Sequence, residues 1–165
     1  MATGFRFFLP YAAVDAMLLI SKGPLEVEKI FTRWYGAEHK NNYGAMVSFV
    51  GTVREENGIE ALSFDLYRPV LQAWFDEWQK RLGEKGAYLA MAHSEGDVPA
   101  HKSSFMCAIF SPKRRVALEM LDAFVEDFKA NAPIWKYDVV EGKRLYAADR
   151  STPMAGSGLL AGDEK

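Results

Sequence analysis

Residues 111–136 read SPKRRVALEMLDAFVEDFKANAPIWK, and this stretch decides the fold. Ser111-Pro112 has the form of an N-cap followed by proline at the first helical position. Ala117, Met120, Leu121, Phe124 and Phe128 then recur at helical spacing, which predicts a helix with one apolar face. Asn131 suits a left-handed C-terminal residue, and Pro133 prevents the helix from continuing. Lys129 therefore falls on the last helical turn and Lys136 just past a rigid turn, with Ile134 and Trp135 expected to anchor that turn in the core. Two cations framed in this way point to an anion pocket, or to a lysine tuned for chemistry. A solvated helix end gives the same spacing, because Lys also interacts well with the dipole there.

Upstream, strand and helix patterns alternate. Gly23-Pro24 is expected to open a helix carrying Val27, Ile30, Phe31 and Trp34, with Gly36 near its end. Gly44–Val53 is rich in strand formers, and Gly51 within it marks a bulge or a close backbone approach. Asn57-Gly58 signals a hairpin turn, with Ile59–Tyr67 returning as the second strand. Pro69 starts a helix with Leu71, Trp74, Phe75, Trp78 and Leu82 on one face, closed by Gly83 and Gly86. Tyr88–Ala92 and Ser104–Phe110 read as strands joined by a polar loop through Gly96, Asp97 and Pro99. Val139–Tyr146 reads as a final hairpin around Gly142. Strands with helices between and after them predict an α+β domain over residues 1–150, followed by a small, polar tail over residues 151–165.

The 165 residues are 49% hydrophobic and 13% aromatic, enough for one core without disulfides or metal. A net charge of -2 and a pI near 5.9 argue against general nucleic-acid binding. Any anion site must come from local clustering of Lys and Arg. The one cysteine, Cys107, sits in an apolar strand pattern, reads as packing rather than a nucleophile, and fits a reducing compartment. His39, His93 and His101 have no ligand spacing, so no metal is expected. Phe5–Ile20 is apolar but interrupted by Arg6, Pro10 and Asp15, so neither a membrane span nor a signal peptide is expected. The expected location is the cytoplasm.

Chemistry concentrates at two further places. Arg54 leaves a strand at the start of a turn, where functional side chains are common, although pairing with Glu55 or Glu56 explains it equally well. Lys113-Arg114-Arg115 crowds cations onto a helix start that disfavours them, unless a phosphate is held there. Lys113 and Lys129 are sixteen residues apart, roughly 24 Å at ~1.5 Å per residue. A single small ligand could meet both only if a second copy of the chain supplied one of them. No nucleophile-base order, phosphate loop or dinucleotide fingerprint is present. An enzyme of this kind would position a reactive group carried in by another molecule.

GAMVSFVGTVR at Gly44–Arg54, ALSFDLY at Ala61–Tyr67 and FKANAPIWKY at Phe128–Tyr137 resemble the large, catalytic subunit of molybdopterin synthase, the MoaE family. The resemblance runs from about Gly44 to Tyr146, with the elements in the family's order. It implies an α/β hammerhead-type fold and a homodimer within a heterotetramer. Each copy would bind a small ubiquitin-like subunit of the MoaD type, ending in a thiocarboxylated Gly-Gly. It also implies sulfur transfer to cyclic pyranopterin monophosphate (precursor Z), forming the dithiolene of molybdopterin, with no resident cofactor. Carried over position by position, it gives Lys129 and Lys136 as catalytic. Thr52, Val53, Arg54, Lys113, Arg114, Lys129, Lys136, Tyr137 and Asp138 become substrate contacts, Lys113 and Arg114 reaching in from the neighbouring subunit.

One position departs from the family pattern. Where the family commonly has His-Arg, this chain has Lys113-Arg114. Lysine keeps the charge but loses an imidazole's capacity to act as a neutral base, which favours phosphate binding over proton transfer there. Two rival readings are a non-catalytic module for a ubiquitin-like tail and another anion-dependent transferase on the same fold.

Overall fold

The computed structural model describes residues 17–38 and 42–147. The N-terminal segment up to Ala16, residues 39–41 with His39, and residues 148–165 with the expected tail from Ser151 lie outside them. Among the described residues the order is β1 (Leu18–Lys22), α1 (Val27–Glu38), β2 (Ala45–Thr52), β3 (Ala61–Leu66), α2 (Arg68–Gly83), β4 (Tyr88–Pro99), β5 (Ser103–Ser111), α3 (Arg114–Asn131), β6 (Ile134–Val140) and β7 (Lys143–Tyr146). The expected α+β class is what forms. The sheet runs β2-β5-β4-β3-β6-β7 with antiparallel neighbours, and β1 adds to β4 in parallel. β4 ties it together: Tyr88–His93 pair with β5, Met91–Glu95 with β1, and Gly96–Pro99 with β3.

Two local expectations are corrected by this pairing. Asn57 and Gly58 do adopt left-handed φ values of 53° and 74°, as an Asn-Gly turn requires. Yet no hairpin forms across them, because β2 pairs with β5 while β3 is taken by β4 and β6. The stretch through Gly96, Asp97 and Pro99 is not a loop but the second half of β4. Its polar side chains are compatible with a strand because Ser63 on β3 donates a hydrogen bond to Asp97, its register partner. The turn itself comes later, at His101, whose φ is 67°. The final hairpin forms as expected, with Glu141 and Gly142 at φ 49° and 71°.

The helix ends are also adjusted. α1 starts at Val27 rather than at Gly23-Pro24, since Gly23 turns with φ 76° and hydrogen-bonds to Glu95 O at 2.9 Å. α3 starts at Arg114, with Lys113 as an extended N-cap. Ser111 Oγ accepts the Lys113 N–H at 3.2 Å instead of capping a longer helix. At the other end Asn131 is still helical and Ala132 becomes extended, φ -62° and ψ 136°, the region preferred before proline. Pro133 is fully buried, whereas Ile134 and Trp135 are half-buried.

Leu71, Phe75, Trp78 and Leu82 of α2 and Ala117, Phe124 and Val125 of α3 face the core. Residues 104–111 of β5 are buried without a break, so both faces of that strand are covered. Cys107 lies among them with 0% exposure, and burial pushes its thiol up to about 12. It is a packing residue. The helices α2 and α3 are joined through one carboxylate. Trp74 Nε1 and Trp78 Nε1 donate to Asp127 Oδ2 at 3.1 and 2.7 Å, and Asn131 Nδ2 donates to Oδ1 at 2.7 Å. These bonds hold the turn that carries Phe128 and Lys129. No helix among the described residues is long and apolar enough to cross a membrane.

Candidate functional site

A cavity of about 570 Å³ opens where β2, β3, β4, β5 and β6 meet the end of α3. Its floor is aromatic. Phe105 and Phe128 stack with centroids 3.9 Å apart and planes 7° from parallel, and Phe49 leans on Phe105 at 5.8 Å. His93 meets Phe64 edge-on at 4.9 Å and lies 5.6 Å from Phe128. The bulge between Gly51 and Thr52 lets β2 pass close to β5 at this point. A Cβ on Gly51 would come to 3.4 Å from that of Phe105, which is the close approach its position in the strand pattern implied.

Arg54, Lys129 and Lys136 line the same cavity with Thr52. Lys136 is the register partner of Phe64 across β6 and β3, so both side chains reach the cavity face. Arg54 touches Glu56 at 3.2 Å, with Arg54 largely exposed. A pair this exposed is worth at most ~1 kcal/mol, so an incoming anion can displace it. Lys129 is exposed and has no hydrogen-bond or ion-pair partner among the described residues. It projects from the negative end of the α3 dipole, which favours its charge.

Of the other expected contacts, Val53, Tyr137 and Asp138 do not line this cavity. Val53 is 2% exposed and packs with Phe64 and Val98. Its N–H binds Lys102 O at 2.9 Å and its carbonyl accepts from His101 N at 2.7 Å. Val53 thus holds the strand that presents Thr52 and Arg54, and leaves no group free for a ligand. Tyr137 points to the opposite face of β6 from Lys136. There it lies under Arg144 at 4.1 Å and beside Tyr146 at 5.7 Å. Burial, and then the neighbouring Asp65 carboxylate, push its phenol up. Asp138 shares the Lys136 side of the strand and is in register with Leu62, which lines the cavity, but its own side chain is not part of that lining.

Lys113 and Arg114 line a separate cavity of about 400 Å³ with Gly44, Pro112 and Arg115. No acidic residue occupies the first turn of α3. Arg115 reaches Glu119 at 3.7 Å. Gly44 is needed here, since a Cβ would fall 2.4 Å from Pro112 O. The two cationic groups therefore stand at opposite ends of α3, as their spacing required.

Comparison with known proteins gives the same picture. The family model described as MoaE protein matches residues 20–131. The molybdopterin synthase catalytic subunit of Helicobacter pylori (strain ATCC 700392 / 26695) is 46% identical over 145 residues, 88% of this chain and 100% of the relative. The chain belongs to the MoaE family. A solved protein–protein complex of subunits 1 and 2 of molybdopterin-converting factor from Helicobacter pylori 26695 includes a chain of 46% identity. That chain superposes with a TM-score of 0.82, over 88% of this chain and 99% of its own. Molybdopterin synthase from Staphylococcus aureus, at 24% identity, shares the fold with a TM-score of 0.64 over 79% of this chain and 94% of its own. The family expected from the sequence is thus borne out, and with it an enzyme subunit of molybdenum cofactor biosynthesis.

Sequence reasoning missed His93 as a MoaE cavity residue. It dismissed the histidines together because none had metal-ligand spacing. A signal was present nonetheless: His93 continues the apolar strand run from Tyr88, and a polar ring placed there is buried beside whatever that strand faces. Burial lowers its pKa to about 4, against the opposing effect of its bond to Ser94. The phenylalanine floor also went unread, because Phe49, Phe64, Phe105 and Phe128 come from four different elements.

Proposed function

We propose that the 570 Å³ cavity is where sulfur passes from the thiocarboxylated C-terminus of a small ubiquitin-like subunit to cyclic pyranopterin monophosphate. The observation that carries this reading is the pairing of a flat aromatic floor with a rim of Arg54, Lys129 and Lys136. A pterin is a flat heteroaromatic ring and its phosphate is an anion, so one cavity offers stacking and charge together. The chain's only cysteine is buried and its thiol is held protonated, so the sulfur is supplied by the partner.

In the proposed step the thiocarboxylate sulfur adds to a carbonyl carbon of the substrate, and the π pair passes to oxygen. That oxygen is protonated and leaves as water as the adjacent carbon gives up a proton, so that a thioester is formed without any change of oxidation state. Water then adds to the acyl carbon, the C–S bond breaks, sulfur stays on the substrate and the partner regains its carboxylate. Lys129 lies at the cavity edge, where its ammonium would stabilise the oxyanion of that addition and deliver or receive the accompanying proton. Lys136 and Arg54 would hold the phosphate. Lys113 and Arg114 would enter from a second copy, giving a homodimer within a heterotetramer. The cytoplasm, where a lone thiol stays reduced, is the proposed place of action.

The test is reconstitution with a thiocarboxylated MoaD-type protein and precursor Z, followed by detection of molybdopterin. Lys129→Ala should lose ~10²–10⁴ in rate while retaining its fold and its partner. A variant within twofold of wild type would remove Lys129 from the mechanism.

A further inference from the structure

His93 is a buried histidine whose second ring nitrogen has no hydrogen-bond partner among the described residues. Its Nδ1 lies 2.7 Å from Ser94 O. A carbonyl oxygen only accepts, so Nδ1 carries the ring proton, and in a neutral imidazole Nε2 is then a bare acceptor. The ring is neutral because burial holds its pKa at about 4. Phe64, Phe128 and Phe105, at 4.9, 5.6 and 6.0 Å, fix its plane. No described residue donates to Nε2. It is also not one of the sealed, unpartnered side-chain atoms of the described residues, which are Trp34 Nε1 and Ser94 Oγ. Since His93 lines the cavity, Nε2 opens into it.

Among the other polar side chains that line the cavity, Arg54, Lys129 and Lys136 only donate, whereas the Thr52 and Ser104 hydroxyls can donate or accept. His93 Nε2 differs from both in being an acceptor only and in standing among the phenylalanines. Glu56 accepts, but it is engaged by Arg54 at the rim. A flat heteroaromatic ring seated on the phenylalanines has N–H groups as well as acceptors on its edge. An N–H pushed into an apolar floor without an acceptor pays its desolvation unrewarded.

We propose that His93 Nε2 accepts a hydrogen bond from a ring N–H of the pyranopterin and so sets which edge of the ring faces the floor. His93 is then a positioning residue for the substrate, an inference that deepens the proposed function and rests on it.

The variants His93→Asn and His93→Gln separate the two ring nitrogens. The Asn amide can keep the bond to Ser94 O but stops short of the Nε2 position, which Gln reaches. With the full chain and its thiocarboxylated partner, His93→Asn should raise KM for the pyranopterin roughly fivefold to tenfold, with a smaller effect on kcat. His93→Gln should recover most of that loss, and neither should alter affinity for the partner. Nitrogen-15 spectra of the wild-type complex should show the Nε2 resonance moving on addition of pyranopterin while Nδ1 stays near its place. This signature needs no variant, so misfolding of His93→Asn would not shield the proposal. An unchanged KM in a folded His93→Asn, or an Nε2 resonance that stays put at saturating ligand, overturns it. Weakened partner binding at unchanged KM overturns it too, because the contact would then be to the partner's tail. If wild type turns over and His93→Asn is indifferent, this inference alone fails. If wild type neither binds pyranopterin nor makes molybdopterin, the proposed function fails and takes this inference with it.

Discussion

Acid should destabilise this protein through His93 before most carboxylates are protonated. In the unfolded chain the imidazole titrates near its ordinary value of 6.5, whereas in the folded chain burial holds it at about 4. The folded value is the lower one, so the unfolded chain takes the proton first as pH falls. The stability of the neutral, buried ring is therefore complete above about pH 6.5 and is lost as pH drops towards about 4. At ~1.4 kcal/mol for each pH unit, the whole window is worth roughly 3 kcal/mol, and ~2 kcal/mol of it is gone by pH 5. The other titratable and charged groups around the cavity are Arg54, Glu56, Lys129 and Lys136. They are present in both proteins of the comparison and largely cancel. The assay is urea unfolding of wild type and His93→Asn at pH 7, 6 and 5, at one protein concentration. His93→Asn cannot titrate, and its packing loss does not depend on pH. The stability gap between the two proteins should shrink by ~2 kcal/mol between pH 7 and pH 5. A gap constant to within ~0.5 kcal/mol would mean that His93 is not buried neutral in solution, and the reasoning would be wrong.

If the pocket is shared between two chains, mixing inactive Arg114→Ala with inactive Lys129→Ala should restore activity, because the mixed dimer regenerates one intact site; no recovery after verified subunit exchange refutes sharing. Lys113→Arg should be tolerated, while Lys113→Ala should raise KM roughly tenfold, the scale of one charge-assisted hydrogen bond. A large loss of turnover in Lys113→Arg at unchanged affinity would assign that position to proton transfer instead. Asp127→Ala strands the indoles of Trp74 and Trp78 and should cost roughly 2–3 kcal/mol in urea unfolding, against ~1 kcal/mol for Asp127→Asn, which keeps one acceptor. Equal losses in the two would mean that the indole bonds contribute little.

The sequence by itself determined the helices, most strands and the family. Periodic apolar positions such as Leu71, Phe75, Trp78 and Leu82 are a local property of the chain, and so are stops such as Pro133 and turns such as Glu141-Gly142. The framing of Lys129 and Lys136 around Pro133 is equally local, which is why both could be picked out before any fold was known. Strand partners could not be read in this way. Asn57-Gly58 turns as its residues dictate, yet β2 pairs with β5, whose residues 104–111 are buried, while β3 pairs with β4 and β6. Pairing is settled by burial summed over the whole sheet, not by the turn between neighbours. The loop expected at Gly96–Pro99 became a strand for the same reason: Ser63 satisfies Asp97 only once β3 has been brought alongside. Val53 and Tyr137 sit beside true cavity residues in sequence but alternate away from them in the strand. The floor of Phe49, Phe64, Phe105 and Phe128 with His93 exists only where five elements meet. The apolar strand run hints that His93 is buried, but where its second nitrogen faces is a consequence of what the rest of the chain packs around it.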